Sequence, residues 1–252
     1  MSREIAGHPA GEFLYALVVV TASGYMVNQV FLNFVAKPEW IVDYDGAPLW
    51  SYYMSWAMQF FIFPVLTYLT LEQYNFDLEK FFNTTFEECN SLGNGDGICW
   101  LRYDAVVLIA YFMKDLGVCT PLQALHHLAG ASLTLLFSYT KYGGSTYILS
   151  ILLMEDANMF WNFTTILPNV FKQTKYILSI ATFVVYTVGH VFNLYILYFM
   201  CFSLNFNTIF QRVLMCSTAL IIMYFRQTVI TQIMIDNWRK RNCQKTTKKK
   251  HM

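Results

Sequence analysis

The sequence predicts an all-α fold, a polytopic bundle of about seven transmembrane helices, on three observations. Of the 252 residues, 56% are hydrophobic and only 13% are charged, against about a quarter charged in an ordinary soluble domain. That is too little polar surface to cover a soluble globule of this size. The apolar residues gather into seven continuous runs, each near the roughly 20 helical residues needed to cross a hydrocarbon core about 30 Å thick. Their continuity argues against a barrel, whose strands alternate over about ten residues. The basic residues are uneven: Arg239, Lys240, Arg241, Lys245, Lys248, Lys249 and Lys250 crowd the C-terminal end. Together these features exclude a soluble enzyme, a disordered chain and a nucleic-acid binder with a broad basic face.

A short N-terminal segment, 1–12, precedes the first span at 13–35. That run is too long for a signal peptide and no small-residue cleavage site follows it. The second span is expected at 50–72. An acidic, turn-rich extramembrane loop at 73–100 includes Asn94-Gly95-Asp96-Gly97. Further spans are expected at 101–118, 121–140, 145–167, 176–203 and 207–235, so that 13–235 forms one membrane bundle, followed by a polybasic tail at 236–252. Lys and Arg in the tail place the C-terminus inside. Seven spans then put the N-terminus and the loop 73–100 outside, and Lys172 and Lys175 inside. The loop carries a glycosylation sequon, Asn83-Thr84-Thr85, and the pair Cys89 and Cys99, which suit the lumenal face of the endoplasmic reticulum. The six cysteines show no metal-binding spacing, so neither a metal nor another cofactor is expected.

Lys249 and Lys250 stand four and three places from the end, as in dilysine retrieval signals of endoplasmic-reticulum proteins. The competing reading is a polybasic tail that meets anionic headgroups.

Charges inside apolar runs are costly, about 2.5–3.5 kcal/mol at mid-bilayer on insertion scales, so they mark partners or pathways. The candidates are Asp104, His126, His127, Glu155, Asp156, His190, Arg212 and Arg226. Adjacent helical residues point about 100° apart, so one of His126 and His127 is expected to face a cavity while the other packs on a neighbour. Glu155 or Asp156 beside them could orient an imidazole, and the group could serve as a general base or an acyl acceptor. The bland alternative is an interhelical polar cluster that fixes bundle geometry. Asp104, Asn158, Asn162 and His190 are expected to line the same cavity, while Arg212 and Arg226 are expected to snorkel or cap backbone.

The segments Tyr103-Asp104 to Met113-Lys114-Asp115, Leu125-His126-His127-Leu128-Ala129 and Leu153-Met154-Glu155-Asp156-Ala157-Asn158-Met159-Phe160-Trp161-Asn162 resemble, in order and spacing, the TLC-domain superfamily. That group includes translocating-chain-associated membrane proteins, ceramide synthases and a ceroid-lipofuscinosis protein of the endoplasmic reticulum. The resemblance covers about residues 50–230. It implies a bundle around a tapered cavity that admits an acyl chain, with the histidine pair near its inner mouth. The departures are specific. Where ceramide synthases carry His-Asp-x-x-Asp, this chain reads Glu155-Asp156-Ala157-Asn158-Met159; the fifth-span proline is absent; and Gly189-His190 stands where small relatives carry arginine. These set it apart from a standard ceramide synthase.

Two functions follow. One is lipid handling in an internal membrane, by binding, sensing or acyl transfer, with membrane lipids as partners and His126, His127, Glu155 and Asp156 as the chemical groups. The other is a non-catalytic subunit of a larger membrane complex, for which the mitochondrial inner membrane is the alternative location.

Overall fold

The computed structural model describes residues 4–5, 8–35, 43–44, 47–85, 88–89, 99–117, 119–138, 143–167, 170–202 and 208–250. Within them the chain is almost entirely helical. Two minimal strand pairs are present: β1 (Glu4–Ile5) with β2 (His8–Pro9), and β3 (Asp43–Tyr44) with β4 (Ala47–Pro48), both antiparallel.

Helix α1 (Ala10–Val30) runs on into a π-helical segment, Phe31–Val35. Helix α2 (Leu49–Ala57), a second π segment (Met58–Ile62) and α3 (Phe63–Gln73) form one continuous rod. The cause of that π segment lies in the sequence. Pro64 occupies the first turn of α3 and has no N–H to give the preceding turn, so the ladder widens just before it. Gln59 sits in the widened stretch and is only 1% exposed. Short α4 (Leu78–Asn83) starts where the Asp77 carboxylate accepts the Lys80 N–H at 3.0 Å, an N-cap. Then follow α5 (Trp100–Met113), α6 (Pro121–Ser138), α7 (Gly144–Ile166), α8 (Lys172–Phe202) and α9 (Ile209–Lys250).

Among the described residues, four stretches are long and apolar enough to cross a membrane: Leu14–Val35, Leu49–Gln73, Lys172–Phe199 and Arg212–Lys240. The other expected runs differ in kind. Helix α5 has 14 residues and reaches only about 21 Å. Helices α6 and α7 carry their histidines, carboxylates and amides in mid-run. The last helix continues into the polybasic tail expected at 236–252, as far as Lys250. The turn Asn94–Gly97, His251 and Met252 lie outside the described residues.

Helix α7 is the centre of the molecule. Its first half is buried on every side, from Gly144 to Leu149 and again at Leu152 and Met154, and it packs against α2, α3, α6 and α8. Helix α8 in turn packs on α9, and α5 on α6 and α1. Helix α1 keeps Leu14, Tyr15, Val18 and Tyr25 on the outside, as the π segment after it does Phe34, and buries little besides Asn28, as suits a peripheral helix facing hydrocarbon. Cys89 and Cys99 are bridged, and this disulfide closes the loop between α4 and α5 onto the core formed by Tyr74, Phe81 and Leu101.

Helices α5 and α6 cross closely at Gly130. A Cβ there would lie 2.8 Å from the Phe112 ring, and Phe112 is buried. Gly130→Val therefore wedges the two helices apart, at a cost of about 1–3 kcal/mol for overpacking. A lowered midpoint of thermal unfolding in detergent checks this; an unchanged midpoint contradicts it.

Candidate functional site

A cavity of about 420 Å³ opens among α2, α5, α6, α7, α8 and α9. It lies toward the end of the bundle where α5 finishes and α6 begins, away from the disulfide. Its polar wall is one connected network. Arg226 of α9 gives Nη2 to Glu155 Oε1 at 2.6 Å and Nη1 to the Met154 carbonyl at 3.0 Å. The other carboxylate oxygen, Glu155 Oε2, accepts from Asn158 Nδ2 at 2.9 Å and from Gln59 Nε2 and the Tyr111 hydroxyl at 3.3 Å each. Gln59 Nε2 also donates to the Tyr111 oxygen at 2.9 Å, and Asn162 Nδ2 donates to Gln59 Oε1 at 2.7 Å. Glu155 is 3% exposed, so a charge that would be costly alone is matched by a guanidinium and by donors on both oxygens.

Local geometry explains who takes part. Residues 155, 158 and 162 recur at helical spacing and share one face of α7, so Glu155, Asn158 and Asn162 all meet the cavity. Asp156 is turned about 100° from that face and does not line the cavity; its Oδ1 is buried without a partner among the described residues. Tyr111 is held by the Phe63 ring, edge-on at 4.9 Å. Gln59 reaches the network from the π segment ahead of Pro64.

His126 and His127 of α6 also line the cavity. His127 Nδ1 lies 2.8 Å from the Phe112 carbonyl. A carbonyl can only accept, so Nδ1 carries the hydrogen, and Nε2 is the ring nitrogen left to carry a lone pair. The Phe112 ring stands edge-on to both imidazoles, at 6.1 Å from His126 and 5.9 Å from His127. The orienting group is thus a backbone carbonyl. No hydrogen bond joins either histidine to Glu155 or Asp156 among the described residues, because Arg226 and the amides already engage Glu155.

Two residues expected to line the cavity fall elsewhere. Asp104 is fully buried between α3 and α5, where it accepts the Thr70 hydroxyl at 2.5 Å. His190 is in the α8–α9 contact, its Nδ1 2.9 Å from Gln227 Oε1. Neither lines the cavity. Lys249 and Lys250 end α9; their side chains lie outside the described residues. Arg226, expected to snorkel or cap backbone, turns inward, where it caps the Met154 carbonyl and also pairs with Glu155. Arg212 does cap backbone, donating Nη1 to the Cys201 carbonyl at 3.0 Å.

The sequence reading did not pick out Gln59, Tyr111, Lys114 and Asp115 as members of the site. Lys114 pairs with its neighbour Asp115, donates to Ser55 Oγ at 3.1 Å and lies 4.6 Å over the Tyr111 ring. It ties the end of α5 to α2, and as a cation at a helix C-terminus it complements the dipole. Among the described residues no cluster of three or more His, Cys, Asp or Glu side chains could hold a metal.

The fold and site define a helical membrane protein with a buried ion pair facing an internal cavity. No family model, curated protein or solved structure matches the chain.

Breaking a buried pair by removing one partner costs about 3–5 kcal/mol, because the other charge is left uncompensated, whereas neutralising both costs far less. Arg226→Met and Glu155→Gln each lower thermal stability in detergent, and the double variant recovers part of the loss. Additive losses in the double variant would contradict the coupling.

Proposed function

We propose that this chain is a seven-span, TLC-like bundle of the endoplasmic reticulum membrane that binds an acyl lipid in the cavity and transfers its acyl group. The observation that carries the proposal is the composition of the cavity. The imidazoles of His126 and His127 face one space with the Glu155–Arg226 network, and apolar walls from Phe112, Trp161, Phe225 and Ile230 enclose it. A volume of about 420 Å³ lies within the range of small-molecule sites, about 300–1,000 Å³.

Entry is lateral. Helices α6 and α9 both line the cavity but barely touch each other. Leu125, Leu128, Phe225 and Val229 are strongly exposed along these two helices, and Phe225 and Val229 also line the cavity. In a bilayer those side chains meet hydrocarbon, so an acyl chain passes from lipid to cavity without crossing water.

The chemistry falls to α6. With Nδ1–H fixed on the Phe112 carbonyl, His127 Nε2 is the basic atom. It takes the proton of an acceptor hydroxyl or amine as that oxygen or nitrogen attacks the acyl carbonyl, and the proton returns to the leaving group as the old acyl bond breaks. Arg226 and the Gln59, Asn158 and Tyr111 donors hold the polar end of the ligand at a fixed depth. The basic end of α9 lies inside, and the Cys89–Cys99 loop with Asn83 lies in the lumen.

Mass spectrometry of lipid extracted from the detergent-purified protein tests the reading. The wild type retains an acyl lipid in near-stoichiometric amount. Val229→Trp, which fills the cavity from α9, loses it. His126→Ala with His127→Ala retains the lipid but abolishes the change in cellular acyl-lipid profile caused by overexpression. Absence of acyl lipid from the wild type, together with a large native particle in mild detergent, would contradict the proposal and favour the accessory-subunit role.

A further inference from the structure

A second pair of sulfurs lies at the end of the bundle opposite the cavity. Cys201 is at the end of α8 and Cys216 is in the first turns of α9, with their Sγ atoms 3.1 Å apart. Both are half-buried free thiols in the structure. The Arg212 guanidinium, bonded to the Cys201 carbonyl, braces the approach of the two helices.

The surroundings of this pair are oxidising by an independent sign. The Cys89–Cys99 disulfide sits at the same end. The Phe82 ring, in the helix leading to that disulfide, meets the Phe199 ring of α8 at 5.0 Å. Cys216 and Phe199 also pack against the same apolar cluster that holds Cys89 and Cys99. Disulfides persist where the compartment is oxidising, and thiols presented to that compartment meet the same redox poise. Cys119 provides the contrast. It lies at the far end, between α5 and α6, and lines the cavity.

From this placement we propose that Cys201 and Cys216 form a second disulfide, a redox-controlled staple between α8 and α9. The bond forms by thiol–disulfide exchange with an oxidised dithiol carrier. The thiolate of one cysteine attacks the carrier disulfide, and the carrier's leaving sulfur departs as a thiol. The second cysteine then displaces the carrier from the mixed disulfide. One S–S bond is made in the protein and one is lost from the carrier; two protons and two electrons leave with the carrier as its dithiol. The bond closes a covalent ring across the α8–α9 connection and fixes the height of α9, the helix that carries Arg226, against α8. The proposal stands independently of what the cavity binds.

Differential alkylation of the full-length protein in its native membrane tests it. Free thiols are blocked with N-ethylmaleimide under denaturing, non-reducing conditions; the protein is then reduced and labelled with a second reagent. Trypsin cuts after Lys175, Arg212 and Arg226, so Cys201 and Cys216 fall on the separate peptides 176–212 and 213–226. The expected result is first-step label at Cys119, second-step label at Cys89, Cys99, Cys201 and Cys216, and the two peptides linked in an unreduced digest. Cys201→Ser moves Cys216 to the first step, and Cys216→Ser does the same for Cys201. First-step labelling of both Cys201 and Cys216 in the wild type overturns the proposal, whatever the state of Cys89 and Cys99. The wild-type map decides the matter even where a variant does not accumulate.

Discussion

The buried contact between Glu155 and Arg226 is the constraint on which the rest of the molecule depends. A carboxylate at the centre of a helical bundle in a membrane has no water to turn to, and its desolvation must be offset by protein groups. Here the offset comes from several directions at once: a guanidinium from α9, amides from the π segment after α2 and from α7, and a hydroxyl from α5. Each donor brings its helix to a fixed height and rotation. The network therefore acts as the register mark of the bundle, much as a single buried polar residue fixes register in a coiled coil. Because it needs four helices to face one point, it also keeps their backbones from closing over that point, and the cavity is the space that remains.

The histidines use the cavity differently. Their helix is tied to α5 by a close glycine crossing and by a backbone carbonyl, so the imidazoles belong to the α5–α6 pair and the ion pair belongs to α7–α9. The cavity is the joint between these two units. On the proposed function, a ligand lying in it touches both units.

Much of the architecture was legible in the amino-acid sequence, for definite reasons. The apolar runs mark the helices because a bilayer imposes length and continuity on them. His126, His127 and Glu155 stood out because polar groups in such runs are costly. What stayed hidden was direction. A charge in an apolar run does not say which way it faces, so Arg226 reads as snorkelling or capping backbone when it also turns inward onto a carboxylate, and Asp104 and His190 read as cavity residues when each is committed to a neighbouring helix. Gln59 was invisible because the π segment before Pro64 changes the rotation of everything upstream of it, and a plain 3.6-residue period gives no warning of that. The Phe112 carbonyl was invisible because a backbone acceptor leaves no mark in the sequence. Among the described residues four runs have both the length and the composition of membrane spans; α5 falls short in length, and α6 and α7 are made polar by the same residues that build the site.

Photo-crosslinking reaches the central claim most directly. A lipid bearing a diazirine in its acyl chain, incorporated into membranes containing the protein, labels whatever side chains surround the chain when it is illuminated. The account predicts adducts concentrated on Phe225, Val229 and Ile230 of α9 and on the stretch around Leu125 and His126 of α6, reduced when unlabelled lipid competes. Adducts confined to the outer face of α1, at Leu14, Val18 and Tyr25, with none in the cavity, would mean that lipid only bathes this protein and that the cavity serves some other ligand or none.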